Sequence, residues 1–496
     1  MSKTKKFKIH SSILFLVFLV SFVVACFVAD SIGFNNMYLL VLLVIPIICF
    51  FKFRRYFILS ILIILGLASG VFWYKYNIYK NQNQNIPIGE SAEVYGQIIN
   101  SKEMRGRYLI AISSNSIRND YKHLKFYALT FENPRVLNDK VSLKGEITKI
   151  NKDNFLYKSS KSQGIFYEIK NSKIKNIDQF RFKEGLFTRI SNSLKRFGDL
   201  VDLKIKRSMP QPEAGFISGI LIGQKSDMDK GLKTNLSKTG TTHLIALSGF
   251  NITIVISFIL FIFKPFPRKY VYPLTIIGII AFVMMTGFSA SIVRAALMGS
   301  ILIIAKSFGR LTTQSIVIAI SAFLISIFNP LSLRFDIGFQ LSFLATLGLV
   351  YLAPLIEKSI GRYLKNVPKI LSETLILTFS AQIMVLPILI LYFNTVSIVS
   401  PITNLIIVPL IPGLMILGFI QVVLSFIWIK LGIIFGYFTW ICSHIVLEII
   451  NGFASLGFAS IKIENIKSAI LVPYYILILI NITYNNLKNR YEKQSA

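Results

Sequence analysis

The chain has 496 residues, of which 53% are hydrophobic and 16% charged, and its formal net charge is +31. Soluble globular proteins carry about 25% charged residues. A helix needs about 18 apolar residues or more to cross a bilayer, and runs of that length recur along this chain. The composition excludes an ordinary soluble protein and predicts a polytopic α-helical membrane protein.

The first 76 residues predict three transmembrane helices, at about 12–29, 37–51 and 56–76. Lysines precede the first run, and the linker at 52–55 between the second and third runs is basic. Cytoplasmic loops carry an excess of lysine and arginine. The N-terminus is therefore predicted inside, and the chain after Tyr76 outside.

Residues 77–180 do not resemble the membrane segments. Apolar residues recur there at every second position, and Asn, Gly and Lys interrupt the pattern. This pattern is typical of short strands. Five strands in roughly 100 residues favour a small barrel, and an OB-like fold is the simplest prediction. The five candidate strands are 92–99, 107–113, 123–131, 140–150 and 164–169.

This predicted extracytoplasmic domain is basic and rich in aromatic residues. From 77 to 210 there are 25 basic and 13 acidic residues. Single-stranded nucleic acid binds where bases stack on aromatic rings and phosphates meet basic side chains. The alternative is a solvated basic face over a core built from the same aromatics. The candidate DNA-binding residues are Arg105, Arg107, Lys122, Lys125, Tyr108 and Tyr127.

A connecting segment, 181–240, follows the β domain. Apolar residues recur at helical spacing from Leu186 to Lys206, which predicts an amphipathic helix at the membrane surface or against the barrel. Glycines recur at every fourth position from 215 to 223, so one face of the next helix allows the backbone of a neighbouring helix to come close. Residues 225–238 are too polar to span and are predicted to form a reentrant turn or a surface loop.

Residues 241–486 are predicted to form the main helical bundle, and 487–496 a cytoplasmic tail. Basic residues fall in each predicted inner loop. The expected architecture has about twelve crossings, both termini in the cytoplasm, and residues 77–240 outside the cytoplasmic membrane. The predicted spans are 243–263, 271–286, 290–305, 313–328, 337–356, 371–391, a proline-broken region at 398–429, 431–453 and 469–484.

Several polar residues fall inside these spans, where they cost free energy unless they face another helix or a wet cavity. Arg294 and Asp336 are predicted at similar depth and could pair in an outer vestibule; a static interhelical pair or interfacial snorkelling is the alternative. The candidates for channel-lining or structural roles are His243, Ser248, Gly249, Asn251, Arg294, Asp336, Gln340, Gln382 and Asn404.

Metal and cofactor motifs are missing from the sequence. The three cysteines lie in apolar runs, and the four histidines are scattered without HExxH or other ligand spacing. We therefore predict no metal, no cofactor and no catalytic residue.

Four segments within residues 215–415 resemble the ComEC competence family, in that family's order. They read GILIGQKSDMDKGLKTNLSKTGTTHLIALSGFNITIV, TGFSASIVRAALMGSI, NPLSLRFDIGFQLSFLATLGLVYLAP and SAQIMVLPILILYFNTVSIVSPITNLIIVPLIP. The first is similar to the family's G-x-x-HLLAISGLH segment and the third to its D-x-GFQLSF segment. Asn251 stands where the family has the histidine of SGLH, so a role for that histidine is not carried over.

The resemblance implies a channel that passes one DNA strand through the cytoplasmic membrane during natural transformation. Many members also end in a metallo-β-lactamase-like domain, which these 496 residues lack, so we expect a short form without nuclease activity. Expected partners are single-stranded DNA, the lipid bilayer, an outer DNA receptor, an inner helicase or single-strand-binding protein, and a separate nuclease.

Two other functions are compatible with the same residues. One is transport of a different anionic polymer or solute. The other is an intramembrane enzyme that uses His243, Asp336 or Glu448.

Overall fold

The computed structural model places the described residues in two compact units. One unit holds those of 1–185 and 319–337, and the other those of 186–318 and 338–496. The structure describes residues 11–29, 57–82, 88–89, 91–104, 107–114, 125–130, 140–150, 157–176, 186–224, 228–245, 249–310, 312–361, 363, 366–463 and 470–495.

The first unit begins with two packed helices, α1 (Ser11–Val28) and α2 (Phe57–Gln82). Their backbones lie close together, as the hydrogen bond from the Cys26 thiol to the carbonyl of Gly70, 3.3 Å long, shows. Both helices were predicted as spans. The predicted span at 37–51 lies outside the described residues.

A closed five-stranded barrel follows, with strand order β1-β2-β3-β5-β4 and β4 paired back to β1. All neighbouring strands are antiparallel except β3 and β5. The strands are β1 (Ser91–Met104), β2 (Arg107–Ser114), β3 (Lys125–Thr130), β4 (Lys140–Lys149) and β5 (Tyr167–Asn176).

The barrel closes around a core of alternating apolar side chains. Ile110, Phe126 and Leu143 are completely buried, and burying one such side chain stabilises a fold by about 1.5–3 kcal/mol. Five strands were predicted, and five are present. The fifth prediction, 164–169, was displaced, because a short helix, α3 (Tyr157–Ser162), and a turn precede β5.

The rest of the described chain is helical apart from a small ribbon. The helices are α4 (Leu186–Ser208), α5 (Glu213–Ile222), α6 (Lys230–Lys238), α7 (Thr242–Ile245), α8 (Gly249–Ile262), α9 (Arg268–Met285), α10 (Ala290–Ser307), α11 (Gln314–Phe328), α12 (Ser332–Phe335), α13 (Ile337–Leu347), a π-helical turn (Gly348–Leu352), α14 (Ala353–Ile360), α15 (Lys369–Phe393), α16 (Ser400–Ile407), a 3₁₀ turn (Val408–Leu410), α17 (Ile411–Ile427), α18 (Ile429–Ala454) and α19 (Leu471–Ser495). The antiparallel ribbon consists of β6 (Thr395–Ser397) and β7 (Ser460–Lys462).

Seven helices of the described residues are long and apolar enough to cross a membrane, so the chain is a polytopic membrane protein. They are Leu59–Tyr79, Arg268–Met285, Ala290–Ser307, Ile337–Ile360, Lys369–Phe393, Ser400–Ile427 and Ile429–Ala454. Five shorter apolar helices accompany them, among them Ile13–Val28 and Leu471–Asn485.

The connecting segment forms part of the core of the second unit. Every residue of α5 is buried, and Ile205 of α4 is packed in the same cluster as Ile411 of α17 and Ile450 of α18. The helix α4 contacts α9, α17 and α18. Its inward stripe packs among the bundle helices, and the half-exposed Phe197 stacks on Phe426 of α17 with ring centroids 5.6 Å apart. The predicted place of this helix at the membrane surface or against the barrel stays a prediction.

The predicted span 243–263 is two helices, α7 and α8, and residues 246–248 between them lie outside the described part. The proline-broken region forms the nearly continuous α16 and α17. Each proline falls in a first turn or in the short 3₁₀ turn, where its missing N–H is not needed.

Candidate functional site

A tight turn, Thr239–Gly240–Thr241, joins α6 to α7 in the second unit. Both threonines are fully buried, and their hydroxyls lie 2.8 Å apart. The amide of Thr241 donates back to the carbonyl of Leu236 at 2.9 Å. Gly240 has φ +71°, a left-handed conformation that glycine adopts without steric cost. The TGT sequence therefore fixes a buried, polar turn.

This turn lies against the start of α16. A Cβ at Gly240 would come within 2.5 Å of Ser400 Oγ, so the turn and the serine are in direct contact. One turn along α16, Thr403 Oγ1 donates to the carbonyl of Thr239 at 3.3 Å. The contact places the TGT turn beside the start of α16, which the strand β6 separates from α15.

Ser400 is the centre of a cluster of side-chain amides. Its hydroxyl accepts from Gln382 Nε2 at 2.6 Å and from Asn404 Nδ2 at 3.1 Å. Gln382 lies on α15, so the hydroxyl joins two helices. We call Gly240, Gln382, Ser400, Thr403 and Asn404 the Ser400 cluster.

The Ser400 cluster is buried but retains one unused acceptor. Asn404 is 5% exposed, and its Oδ1 has no hydrogen-bond partner within the described part of the chain. A buried polar atom of this kind costs about 1–3 kcal/mol. The cluster can therefore accept one further donor, from a water, a ligand or a moved side chain.

Two of the predicted polar candidates, Gln382 and Asn404, are brought together here. Sequence reasoning missed the serine between them, because serine is common in helices and Ser400 has no distinctive motif. The signal that could have found it is its place directly before Pro401, at the first turn of a helix that follows a strand.

The predicted candidates between residues 243 and 251 are dispersed. His243 is exposed on α7, and its Nδ1 lies 3.1 Å from the carbonyl of Gly240. Gly249 begins α8. Asn251 is 1% exposed and donates from Nδ2 to the carbonyl of Ile220 at 3.1 Å, which ties α8 to α5. Ser248 lies outside the described residues.

Arg294 and Asp336 belong to different compact units. Arg294 is 4% exposed inside α10. Asp336 follows α12 as its C-cap and is therefore not yet in the helix that Gln340 occupies. Their proposed pairing stays a prediction.

The candidate DNA-binding residues of the barrel differ in their place on the strands and in their burial. Arg107 and Tyr108 open β2, and Lys125 is exposed at the start of β3. Arg105 and Lys122 lie outside the described residues. Tyr127 is 5% exposed and packs among apolar neighbours, so its ring is a core side chain. It was wrongly chosen as a base-stacking residue.

We expect Ser400→Ala to destabilise the protein by about 1–3 kcal/mol, because two amide donors lose their shared acceptor in a buried site. Heat-induced loss of monodisperse protein in detergent would measure this. Ser380→Ala is the matched control, since Ser380 is also buried but its hydroxyl donates to Ile376 O of its own helix. Equal effects of the two substitutions would contradict a special role for Ser400.

The fold and the buried cluster define a polytopic membrane protein, with a helical bundle and a small β-barrel in a separate unit. The family model described as Competence protein matches residues 220–488. That match covers more than half of the chain and includes the whole Ser400 cluster. The chain belongs to the competence protein family.

The chain is also similar to ComE operon protein 3 of Bacillus subtilis (strain 168). The two are 26% identical over 278 residues, which are 55% of this chain and 34% of that protein. The similarity thus spans about a third of the relative's length. No solved structure matches the chain.

Proposed function

We propose that this protein is the channel through which single-stranded DNA crosses the cytoplasmic membrane during natural transformation. The observation that carries the proposal is the match of residues 220–488 to the competence family. Polar residues inside a membrane bundle mark transport pathways, and the Ser400 cluster lies where the strand β6 interrupts the helices α15 and α16 within the matched region. We assign no catalytic step to the chain.

The proposal includes about twelve crossings, with both termini in the cytoplasm and 77–240 outside. The ribbon of β6 with β7 supports this arrangement, because it joins the segments that follow α15 and α18. The C-terminal ends of these two helices then share one side of the membrane. That condition is met if α16 and α17 together cross once, and α18 crosses back.

The barrel is proposed to be OB-like and to receive the DNA. Its five strands and their Greek-key order suit that fold, in which the β2–β3 face and the β1–β2 loop bind oligonucleotides. The register places Lys125 opposite Ser113, whereas Tyr108 lies opposite Thr130. These candidates are therefore at opposite ends of the β2–β3 pair.

Passage of a polyanion requires partners that act outside and inside the membrane. We propose an outer DNA receptor, an inner helicase or single-strand-binding protein, and a separate nuclease that leaves one strand. The lipid bilayer itself contacts the many exposed apolar side chains of the bundle, such as Phe261 and Ile427.

Uptake of labelled DNA by a competent strain tests the proposal. Deletion of the gene is expected to abolish the nuclease-protected internal label, and restoration of the chain to recover it, with surface-bound label unchanged in both. Restoration with Ser380→Ala should be as effective as restoration with the wild type. Undiminished internal label in the deletion strain would refute the channel role.

A further inference from the structure

A buried carboxylate and a half-exposed imidazole form a close pair in the helical bundle. Glu213, the first residue of α5, is 4% exposed. Its Oε1 lies 2.7 Å from Nδ1 of His444 on α18. The His444 side chain is 46% exposed, and its ring stacks on Trp440 with centroids 5.3 Å apart. One ring nitrogen of His444 is therefore hydrogen-bonded to a buried carboxylate, and another part of the side chain is exposed.

The chemistry of this pair suits reversible binding of one proton. A buried carboxylate is costly unless it is paired and hydrogen-bonded, and the positive end of a helix also favours a negative charge in its first turn. Nδ1–H therefore donates to the Glu213 carboxylate, and the exchangeable proton belongs on Nε2. Its binding changes the charge of the pair from −1 to zero.

Other charged groups around the pair have different partners or lie at the surface. On α4, Asp202 binds Lys206 at 2.5 Å and contacts the Ser218 hydroxyl of α5. Arg207 at the end of α4 is exposed, as are Glu448 on α18 and His243 on α7. The α17 sequence contains no titratable residue. Asp202 also contacts α5 through Ser218 but is paired with Lys206, whereas Glu213 belongs to α5 itself and has His444 as its partner.

Helix α5 links this pair to α8, which begins at Gly249 within the first of the four family-like segments. Glu213 stands at its first position, and the carbonyl of Ile220, two turns on, accepts from Asn251 Nδ2 of α8 at 3.1 Å. Gly219 of α5 also lies against α7, because a Cβ there would come within 2.6 Å of Ile245 Cγ2. Movement of α5 would therefore be transmitted to α7 and α8.

We propose that Glu213 and His444 form a proton-binding site within the helical bundle that controls the position of α5. With the proton on His444, an ion pair anchors the start of α5 to α18. Without it, the hydrogen bond from the neutral imidazole to the carboxylate holds the same helix less firmly. As far as DNA passage is concerned, this inference rests on the proposed channel function, since α5 holds α8 through Asn251.

Fluorescence of Trp440 tests proton binding without any DNA. The chain has three tryptophans, so purified full-length protein with Trp73→Phe and Trp428→Phe reports on Trp440 alone. An imidazolium stacked on an indole quenches it, so emission should fall as the pH is lowered from about 8 to about 5. His444→Gln should remove this change. A change of the same size in that variant would overturn the proton site.

Hydrogen exchange of the α5 backbone tests the coupling. After correction for intrinsic exchange rates, α5 in the full-length protein should be several-fold better protected near pH 5.5 than near pH 8. Glu213→Gln keeps the shape and a hydrogen-bond acceptor but removes the charge, so α5 should lose this pH dependence. Protection that varies equally with pH in wild type and Glu213→Gln would refute control of α5 by the pair.

Failure of this inference is distinguishable from failure of the channel proposal. If the deletion strain takes up DNA normally but the Trp440 and exchange results hold, the proton site stands without the DNA function. If uptake requires the chain but Glu213→Gln and wild type show the same dependence of uptake on external pH, the channel stands and its control by the pair is refuted.

Discussion

Gly240→Ala is expected to destabilise the protein by about 2–5 kcal/mol. Gly240 has φ +71°, and a left-handed conformation costs an alanine about 1–2 kcal/mol. Its Cβ would also lie 2.5 Å from Ser400 Oγ and 2.6 Å from Ser400 Cβ, and crowding in a packed site costs about 1–3 kcal/mol more. The result should be a strongly reduced yield of monodisperse protein and at least a tenfold loss of DNA uptake.

Gly309→Ala is the matched control for this substitution. Gly309 also has a positive φ, +64°, but no other group lies within 4 Å of the position of its Cβ among the described residues. It should therefore show the conformational cost alone, about 1–2 kcal/mol. If both variants lose the same stability in a heat-challenge assay, the contact with Ser400 contributes nothing and the Ser400 cluster is not a tight junction.

The barrel shows how much a local pattern can predict. Period-two alternation located the first four strands and overlapped the start of the fifth, because alternate residues of each strand line the barrel core. It could not find α3, since Tyr157–Ser162 is a single polar turn of helix with no apolar period of its own. Nor could it distinguish Tyr127, a core ring, from an aromatic available for stacking.

The bundle shows where a single sequence is insufficient. Hydropathy located the long helices, because each spanning helix must be apolar towards the lipid and must satisfy its backbone hydrogen bonds within itself. The place of α4 and α5 depended on helices far away in the sequence, such as α17 and α18. The Ser400 cluster also depends on distant residues. Gln382 and Asn404 are distinctive in an apolar run, but the TGT turn that contacts Ser400 is remote from them in sequence. The Glu213–His444 pair spans 231 residues, so sequence spacing could not indicate it.

Two glycines of α18 should respond in opposite directions to the same substitution. Gly436 lies against the backbone carbonyl of Ser208 at the end of α4, which a Cβ would strike. Gly452 has nothing within 4 Å of its Cβ position among the described residues. An alanine in a helix interior is favoured over glycine by about 0.5–1 kcal/mol, so Gly452→Ala should leave stability unchanged or slightly raised.

Gly436→Ala should instead lower stability by about 1–3 kcal/mol, because a backbone carbonyl cannot swing away as the end of a side chain can. The same displacement would strain the bond from Gln421 Nε2 to Ser208 Oγ, at 2.6 Å, which joins α17 to α4. Parallel heat-challenge assays of both variants in detergent measure the difference. Equal stability of the two would mean that α4 is not held between α17 and α18, and that the core position of the connecting segment has no energetic consequence.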